Sequence, residues 1–217
     1  MRISLLGATG RTGKWVLQSA LEKGYDVNCL ARNSSRISST PSLRIFEGNP
    51  TNSTDLEVAI KDCNAIISVL NISRKSDFPW SGLITPERFL SDSMETIIPI
   101  CESNGIKRII VCTAWGVAES EDEIPGWFKW FIKNSNIGVA YQDHERQEKL
   151  LEDSNLDWTI IRPVGLSNSQ SEEKIRETSE NQPKPSLFIS RKSVGSFMVD
   201  CLERNDLIHK KVVVSKD

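Results

Sequence analysis

The chain has few histidines and no paired cysteines. Two histidines occur in 217 residues, and the five cysteines stand far apart, at Cys29, Cys63, Cys101, Cys112 and Cys201. Because zinc sites require cysteine and histidine at short, regular spacing, we expect no metal site. The first predicted strand begins at residue 2, so we expect no signal peptide, reduced cysteines and a cytoplasmic protein.

Long apolar runs and an excess of one charge are also missing. No apolar run approaches the length of about 20 residues that a membrane-spanning helix needs. The 27 basic and 29 acidic residues give a formal net charge of −2, which disfavours binding to nucleic acid or to an anionic membrane. We therefore expect a small-molecule partner and a monomer or weak homo-oligomer. The sequence shows no repeat or linker and predicts a single domain over residues 1–217.

The segment GATGRTG, residues 7–13, dominates the N-terminal region. A short apolar segment typical of a buried strand precedes it, and apolar residues at helical spacing follow it as far as Gly24. Glycine allows a tight turn and a close backbone approach, while the amides of a helix N-terminus face an anion. This GxxGxxG turn therefore predicts a site for the diphosphate of a nucleotide. A plain strand-to-helix turn is the alternative, but it leaves the hydroxyls of Thr9 and Thr12 unexplained.

A basic turn follows the second predicted strand, residues 25–31. An acidic residue about 20 residues past the glycines normally binds a free ribose 2′-hydroxyl. This chain instead has Arg32 and Arg36, with Ser34 and Ser35 between them. Guanidinium groups pair bidentately with phosphate, so the turn predicts a 2′-phosphate and hence NADP(H) as cofactor. A solvated basic turn without a ligand is the alternative.

Strand and helix patterns alternate along the rest of the chain. Further strands are predicted at residues 43–48, 65–70, 107–113, 157–162 and 211–214, and further helices at residues 53–61, 86–103, 139–154 and 191–204. This alternation predicts an α/β fold with a doubly wound parallel sheet. Two long connections, at about 116–138 and 166–186, are predicted lid insertions. The first contains the aromatic segment 125–132, which either covers a planar ligand or forms a satellite core or dimer contact.

Five motifs, spread in order over most of the chain, match a known family. They are GATGRTG (7–13), LARNSSR (30–36), VCTAW (111–115), DHERQEKLLEDSNLDWTIIRP (143–163) and ISRKSVGSFMVDCL (189–202). With them the chain resembles the atypical short-chain dehydrogenase/reductases, in the branch of NmrA-like, flavin-reductase-like and biliverdin-IXβ-reductase-like proteins. The resemblance implies an NAD(P)-binding Rossmann fold with a small C-terminal substrate lobe, and NADP(H) along the carboxyl edge of the sheet. The cofactor-binding residues are then expected to be Gly7, Thr9, Gly10, Arg11, Thr12, Arg32, Ser35, Arg36, Asn49, Leu70, Cys112, His144, Pro163 and Val164.

Two departures from the family pattern bear on the chemistry. Asn49 stands where an aspartate is common. The Tyr-x-x-x-Lys pair is absent, because Tyr141 is followed four residues later by Glu145, and we expect Tyr141 to face away from His144. His144, whose pKa can lie near neutrality, and Thr113 are therefore the catalytic candidates. The alternatives are a histidine that only packs against the cofactor and a threonine that only caps a strand end.

The resemblance implies a reductase that transfers hydride from NADPH to a flavin-like, quinone-like or other conjugated small-molecule acceptor. Such an acceptor can take its balancing proton from solvent, so the missing Tyr/Lys pair does not exclude turnover. Two alternatives stay open at this point, because a fold does not fix a function. One is a non-catalytic protein that senses the NADP(H) redox state, and the other is an isomerase or epimerase.

Overall fold

The structure is a computed structural model that describes residues 1–33, 35, 37 and 39–217. The strands are β1 (Arg2–Leu6), β2 (Asp26–Ala31), β3 (Leu43–Glu47), β4 (Ala65–Ser68), β5 (Arg108–Cys112), β6 (Asp157–Pro163), β7 (Gly165–Ser167), β8 (Ile175–Thr178), β9 (Phe188–Ser190) and β10 (Lys210–Lys216). The helices are α1 (Gly13–Glu22), α2 (Ser53–Ile60), α3 (Phe89–Ser103), α4 (Gly126–Lys133), α5 (Ile137–Glu152) and α6 (Arg191–Asp200). Strands and helices alternate as the sequence predicts.

The main sheet has eight strands in the order β3-β2-β1-β4-β5-β6-β10-β8. Every pairing from β3 to β10 is parallel, and β8 joins the edge antiparallel to β10. The predicted doubly wound parallel sheet is thereby confirmed. The direction of winding reverses at β1, which has β2 on one side and β4 on the other. Ligands of such sheets bind outside the carboxyl ends of the strands at this switch point.

The central strands are mostly apolar because helices cover both faces of the sheet. Ile3, Leu5, Ile66 and Ile67 are fully buried, and each buried side chain of this size contributes about 1.5–3 kcal/mol. Side chains of α1 and α6 pack with β1 on one face, and those of α2, α3 and α5 form the core on the other. This packing fixes the strand ends and with them the position of the site.

The connection at 116–138, predicted as a lid, is more ordered than its composition indicates. It contains a 3-10 turn over Ala118–Glu123 and then α4, which carries the aromatic residues of the segment 125–132. The aromatic side chains therefore point in several directions around a helix and do not form one flat cover.

The segment 166–186 also differs from the predicted lid insertion. Residues Ile175–Thr178 form β8, which extends the main sheet, and Gly165–Ser167 pair with Phe188–Ser190 in a separate two-stranded sheet. The polar sequence does not predict β8, because an edge strand faces solvent and needs few apolar residues. The two-stranded sheet follows the carboxyl end of β6, and a substrate lobe there stays a prediction.

Candidate functional site

A cleft of about 690 Å³ opens at the carboxyl ends of the central strands. Most of the residues predicted to bind the cofactor or to act in catalysis line it: Gly7, Thr9, Gly10, Arg11, Thr12, Arg32, Leu70, Cys112, Thr113, His144, Pro163 and Val164. Ser35 and Asn49 are not among its lining residues. Arg36 lies outside the described residues. The roles assigned to individual residues stay predictions, while their convergence on one cleft is a structural fact.

The glycine-rich turn lines the cleft at the carboxyl end of β1, between the ends of β2 and β4. Gly7 has φ +92, and a Cβ there would lie 2.9 Å from the carbonyl oxygen of Val69. A Cβ on Gly13 would lie 2.0 Å from the carbonyl oxygen of Gly7, so the turn needs glycine at both positions. Within the described part of the chain, the amides of Arg11, Thr12 and Gly13 have no hydrogen-bond acceptor. Free amides at the N-terminus of α1 fit a diphosphate, as the sequence predicts.

On the β2 side of this turn, where the adenosine is expected, Arg32 lines the cleft directly after β2. The hydroxyl of Ser35 donates a 2.6 Å hydrogen bond to Oδ1 of Asn33, away from the cleft. The amide of Asn49 donates to Asp55, so Asn49 is part of the turn before α2. Contact of Ser35 and Asn49 with a coenzyme therefore stays a prediction, and Arg32 is the described residue that supports a 2′-phosphate site.

The inner part of the cleft is apolar and aromatic. It is lined by Ile72, Phe89, Trp115, Phe128, Ile137, Ala140, Tyr141 and Leu166. Phe128 is the member of α4 that reaches the cleft, whereas Trp127 and Trp130 are 66% and 59% exposed. Phe131 packs edge-on against Trp80, with ring centroids 5.5 Å apart. The aromatic segment thus gives one wall residue to the cleft and an outer aromatic surface.

His144 is 3% exposed and lines the inner part of the cleft. Its Nδ1 lies 3.3 Å from Nε2 of Gln147, which as an amide nitrogen can only donate. The tautomer that accepts this hydrogen bond carries the imidazole proton on Nε2. Burial lowers the pKa of His144 to about 4, so the expected pKa near neutrality is wrong and the ring is neutral at physiological pH. His144 can donate a neutral N–H hydrogen bond to a ligand but does not supply an imidazolium proton.

Thr113, the other catalytic candidate, has its hydroxyl engaged inside the protein. The hydroxyl donates a 2.6 Å hydrogen bond to Oε1 of Glu148, which is 1% exposed. Glu148 also binds the guanidinium of Arg162, whose other edge binds Glu119 at 2.8 Å. Burial opposes ionisation of Glu119, but the hydrogen bonds and charge of Arg162 outweigh it and lower the pKa of Glu119 to about 2. Thr113 therefore belongs to a buried ionic network, and its hydroxyl proton is already donated to Glu148 and not to a substrate.

Sequence reasoning missed this network. The signal that could have revealed it is Arg162, a charged residue within the otherwise apolar stretch of β6. A charge in a buried strand requires a partner, and Glu148 on the inner face of α5 is that partner.

Tyr141 lines the same cleft as His144, so the expectation that it faces away is wrong. Residues three apart on a helix are neighbours on one face. The Tyr141 hydroxyl donates a 3.2 Å hydrogen bond to the carbonyl oxygen of Trp115, and burial raises the pKa of Tyr141. Tyr141 is therefore a wall residue and a poor acid, in agreement with the absence of a neighbouring lysine.

Two arginines that the sequence analysis did not assign also line the cleft. Arg74 lies in the loop after β4, and Arg191 is the first residue of α6. Arg11 of the glycine turn pairs with Asp77 of the same loop, with both guanidinium-to-carboxylate distances at 2.9 Å. The motif ISRKS contained Arg191, but only the fold shows that it approaches the turn of residues 7–13.

The described residues contain neither a metal-binding cluster nor a membrane-spanning helix. In residues 1–33, 35, 37 and 39–217, no group of three or more His, Cys, Asp or Glu side chains is placed to hold a metal ion. Over the same ranges, the helices are too short or too polar to cross a membrane.

Comparison with known proteins gives a family. Residues 7–205 match a family model described as NAD(P)H-binding. The expected nicotinamide cofactor is confirmed by this match. An uncharacterized chloroplast protein of Arabidopsis thaliana is 23% identical over 225 residues, which cover 98% of this chain and 76% of that protein. An oxidoreductase of Pestalotiopsis microspora is 28% identical over 184 residues, and the match spans 76% of this chain and 66% of that protein.

Solved structures share the fold over the whole chain. A short-chain dehydrogenase/reductase of Veillonella parvula in complex with NADP has a TM-score of 0.81 and 20% identity, with 99% of this chain and 94% of that chain covered. The anaerobilin reductase ChuY of Escherichia coli O157:H7 has a TM-score of 0.81 and 20% identity, with 100% and 97% covered. At this identity the likeness shows the fold alone, and it confirms the expected Rossmann-like architecture.

Proposed function

The chain belongs to the NAD(P)H-binding family, and from this premise we propose that it is an NADPH-dependent reductase of a planar, conjugated acceptor. Flavins, quinones and open-chain tetrapyrroles are acceptors of this kind. The observation that carries the proposal is the inner part of the cleft, where aromatic and aliphatic walls surround a neutral His144. Such walls fit a flat apolar ring system better than a sugar.

The preference for NADPH over NADH rests on Arg32. This residue lines the cleft directly after β2, where a carboxylate would otherwise bind a ribose 2′-hydroxyl. Of the described residues that line the cleft, Asp77 is the acidic one, and it is paired with Arg11 of the glycine turn. The adenosine end is thus basic, which favours a phosphate over a hydroxyl.

Two groups of residues have a task in the proposed reaction. The amides of Arg11, Thr12 and Gly13 hold the diphosphate, and a bound nicotinamide supplies the hydride. Pro163 and Val164, both buried, exclude water from the inner part of the cleft. Exclusion of water strengthens every electrostatic interaction inside the cleft.

The proton donors in the cleft limit the class of acceptor that the protein can reduce. The hydroxyls of Thr113 and Tyr141 donate to Glu148 and to a backbone carbonyl, and His144 is neutral. A simple ketone would need a proton donor of suitable pKa as its oxygen becomes negative. A conjugated acceptor spreads that charge over its ring system and takes the proton from solvent once it leaves the cleft, and Nε2–H of His144 orients it while it is bound. The name of ChuY as an anaerobilin reductase supports this class of acceptor.

The same engaged hydroxyls favour a second candidate function. A protein that binds NADP(H) to sense its redox state needs the glycine turn and Arg32 but no proton donor. An isomerase or epimerase has less support, because abstraction of a proton from a sugar requires a base, and a His144 whose pKa burial lowers to about 4 is a weak base.

Turnover separates these candidates. Purified protein is mixed with NADPH and, in separate reactions, FMN, dichloroindophenol, a naphthoquinone or the open-chain tetrapyrrole biliverdin, and the near-ultraviolet absorbance of NADPH is followed without oxygen. The reductase assignment predicts steady oxidation with at least one of these acceptors and none with a simple ketone. Saturable NADPH binding without oxidation by any of them would contradict the assignment and support a sensor.

A further inference from the structure

Three arginines from separate parts of the chain line the cleft, and the charges of all three act on one carboxylate, that of Asp77. Arg11 comes from the glycine turn, Arg74 from the loop after β4 and Arg191 from the start of α6. Burial and then the charge of Arg11 lower the pKa of Arg191, which shows that these two guanidiniums act on each other. Like charges repel, so such a group requires an anion.

The anion at this place in the structure is Asp77, a residue of the chain itself. Its carboxylate accepts two hydrogen bonds of 2.9 Å from Arg11, although its side chain is 78% exposed. The hydrogen bonds and charge of Arg11, followed by the charges of Arg74 and Arg191, lower the pKa of Asp77. One carboxylate thus stands in the field of three guanidinium groups.

Asp77 does not satisfy this group completely. The Nε of Arg74 is buried and has no hydrogen-bond partner among the described residues. Arg191 uses one guanidinium nitrogen to bind the carbonyl oxygen of Leu166 and Oδ1 of Asn168. Three positive charges against one negative charge leave a net charge of +2 at these four side chains, which matches an entering dianion.

We propose that Arg11, Arg74 and Arg191 form an anion-binding site that Asp77 occupies until a phosphate or carboxylate group of a ligand displaces it. A guanidinium pairs with either group bidentately, as Arg11 now does with Asp77. An entering anion repels the Asp77 carboxylate, so Arg11 exchanges its partner and the loop that carries Asp77 is released. The pairing therefore competes with ligand binding and weakens it.

The displacing anion can come from two sources under the proposed function. One is the diphosphate of NADPH, because Arg11 lies in the turn that is expected to hold it. The other is an acidic group of the acceptor, because Arg191 binds the carbonyl oxygen of Leu166, a residue of the inner cleft. Binding measurements distinguish the two sources and do not depend on turnover.

The test is the variant Asp77→Asn, which keeps the shape of the side chain and removes its charge. Asp206→Asn is the matched control, because Asp206 is also exposed and paired with an arginine, Arg204, but lies outside the cleft. Calorimetry measures binding of NADPH and of inorganic diphosphate, and fluorescence quenching measures binding of FMN and of uncharged riboflavin. Arg74→Gln and Arg191→Gln are measured in the same way.

If the coenzyme displaces Asp77, Asp77→Asn binds NADPH and diphosphate about fivefold more tightly than the wild type and Asp206→Asn do. If the acceptor displaces it, FMN binds more tightly by the same factor while NADPH and riboflavin are unchanged. In both cases Arg74→Gln and Arg191→Gln weaken binding of the ligand that Asp77→Asn binds more tightly. Unchanged or weaker binding of all four ligands by Asp77→Asn overturns the proposal. Absence of turnover, by contrast, bears on the reductase assignment alone.

Discussion

The hydroxyl of Thr113 donates a 2.6 Å hydrogen bond to Oε1 of Glu148, a carboxylate that is almost completely buried. Arg162 binds both oxygens of the same carboxylate and connects it to Glu119 at the surface. The residue that a sequence motif places beside the substrate is therefore a structural donor to an internal ion pair. The chemistry of the cleft has to be explained without it.

Replacement of Thr113 tests this relationship. Thr113→Val keeps the volume and removes the donor to Glu148, so we expect a loss of about 1–3 kcal/mol in the free energy of unfolding. Thr113→Ser keeps the hydroxyl and serves as the control, with stability close to that of the wild type. Urea denaturation measures both. A Thr113→Val protein of normal stability that has lost all turnover would show that Thr113 acts on the substrate instead.

A substitution at Gly13 tests whether the glycine-rich turn holds the diphosphate. A Cβ at this position would lie 2.0 Å from the carbonyl oxygen of Gly7, so Gly13→Ala has to push the turn apart. We expect a clear fall in melting temperature and loss of NADPH binding. Gly126→Ala is the matched control, because Gly126 is also the first residue of a helix and a Cβ there meets nothing within 4 Å. Normal coenzyme binding by Gly13→Ala would exclude the turn as the diphosphate site.

The buried His144 predicts a specific pH dependence of stability. Its pKa is lowered from 6.5 to about 4 in the folded protein, so between these values the unfolded chain binds a proton that the folded chain does not. Stability therefore falls as the pH falls from about 6.5 towards 4, by up to about 3 kcal/mol from this residue. We expect His144→Asn to lose less stability than the wild type over this range in urea denaturation, with His209→Asn as the control. Identical slopes for all three proteins would contradict a buried neutral His144.

Two neighbouring aromatic residues test the role of α4. Phe128 lines the cleft, whereas the adjacent Trp127 is 66% exposed. If the inner cleft binds a planar acceptor, Phe128→Ala raises the KM for that acceptor about tenfold and leaves the affinity for NADPH unchanged, because one ring contact is lost. Trp127→Ala leaves both quantities unchanged. If Trp127→Ala raises the KM for the acceptor as much as Phe128→Ala does, the outer aromatic surface also binds the acceptor.

The sequence predicted those parts of the molecule that local chemistry decides. The strand, turn and helix over residues 2–24 follow from apolar periodicity and three glycines, and the basic residue Arg32 follows from its place after β2. Periodicity also identified most strands of the parallel sheet, because buried strands are continuously apolar.

The missed features depend on partners that are distant in sequence. Arg11 pairs with Asp77, which lies 66 residues away in the sequence, and no local sequence pattern predicts that contact. The strand β8 is a polar edge strand with weak periodicity of its own. The wrong expectation that Tyr141 faces away from His144 has a different cause. Helical geometry alone places residues three positions apart on the same face.

The central claim is that Arg32 and the turn of residues 7–13 together hold a nicotinamide coenzyme with a 2′-phosphate. Its most direct test is calorimetric titration of the wild type and of Arg32→Ala with NADPH and NADH, with Arg44→Ala as a control for loss of a surface charge. We predict that Arg32→Ala weakens NADPH binding by at least about tenfold, because one charge-assisted phosphate contact is lost, and leaves NADH binding unchanged. Absence of binding of either coenzyme to the wild type, or an equal loss of both in Arg32→Ala, would contradict the claim.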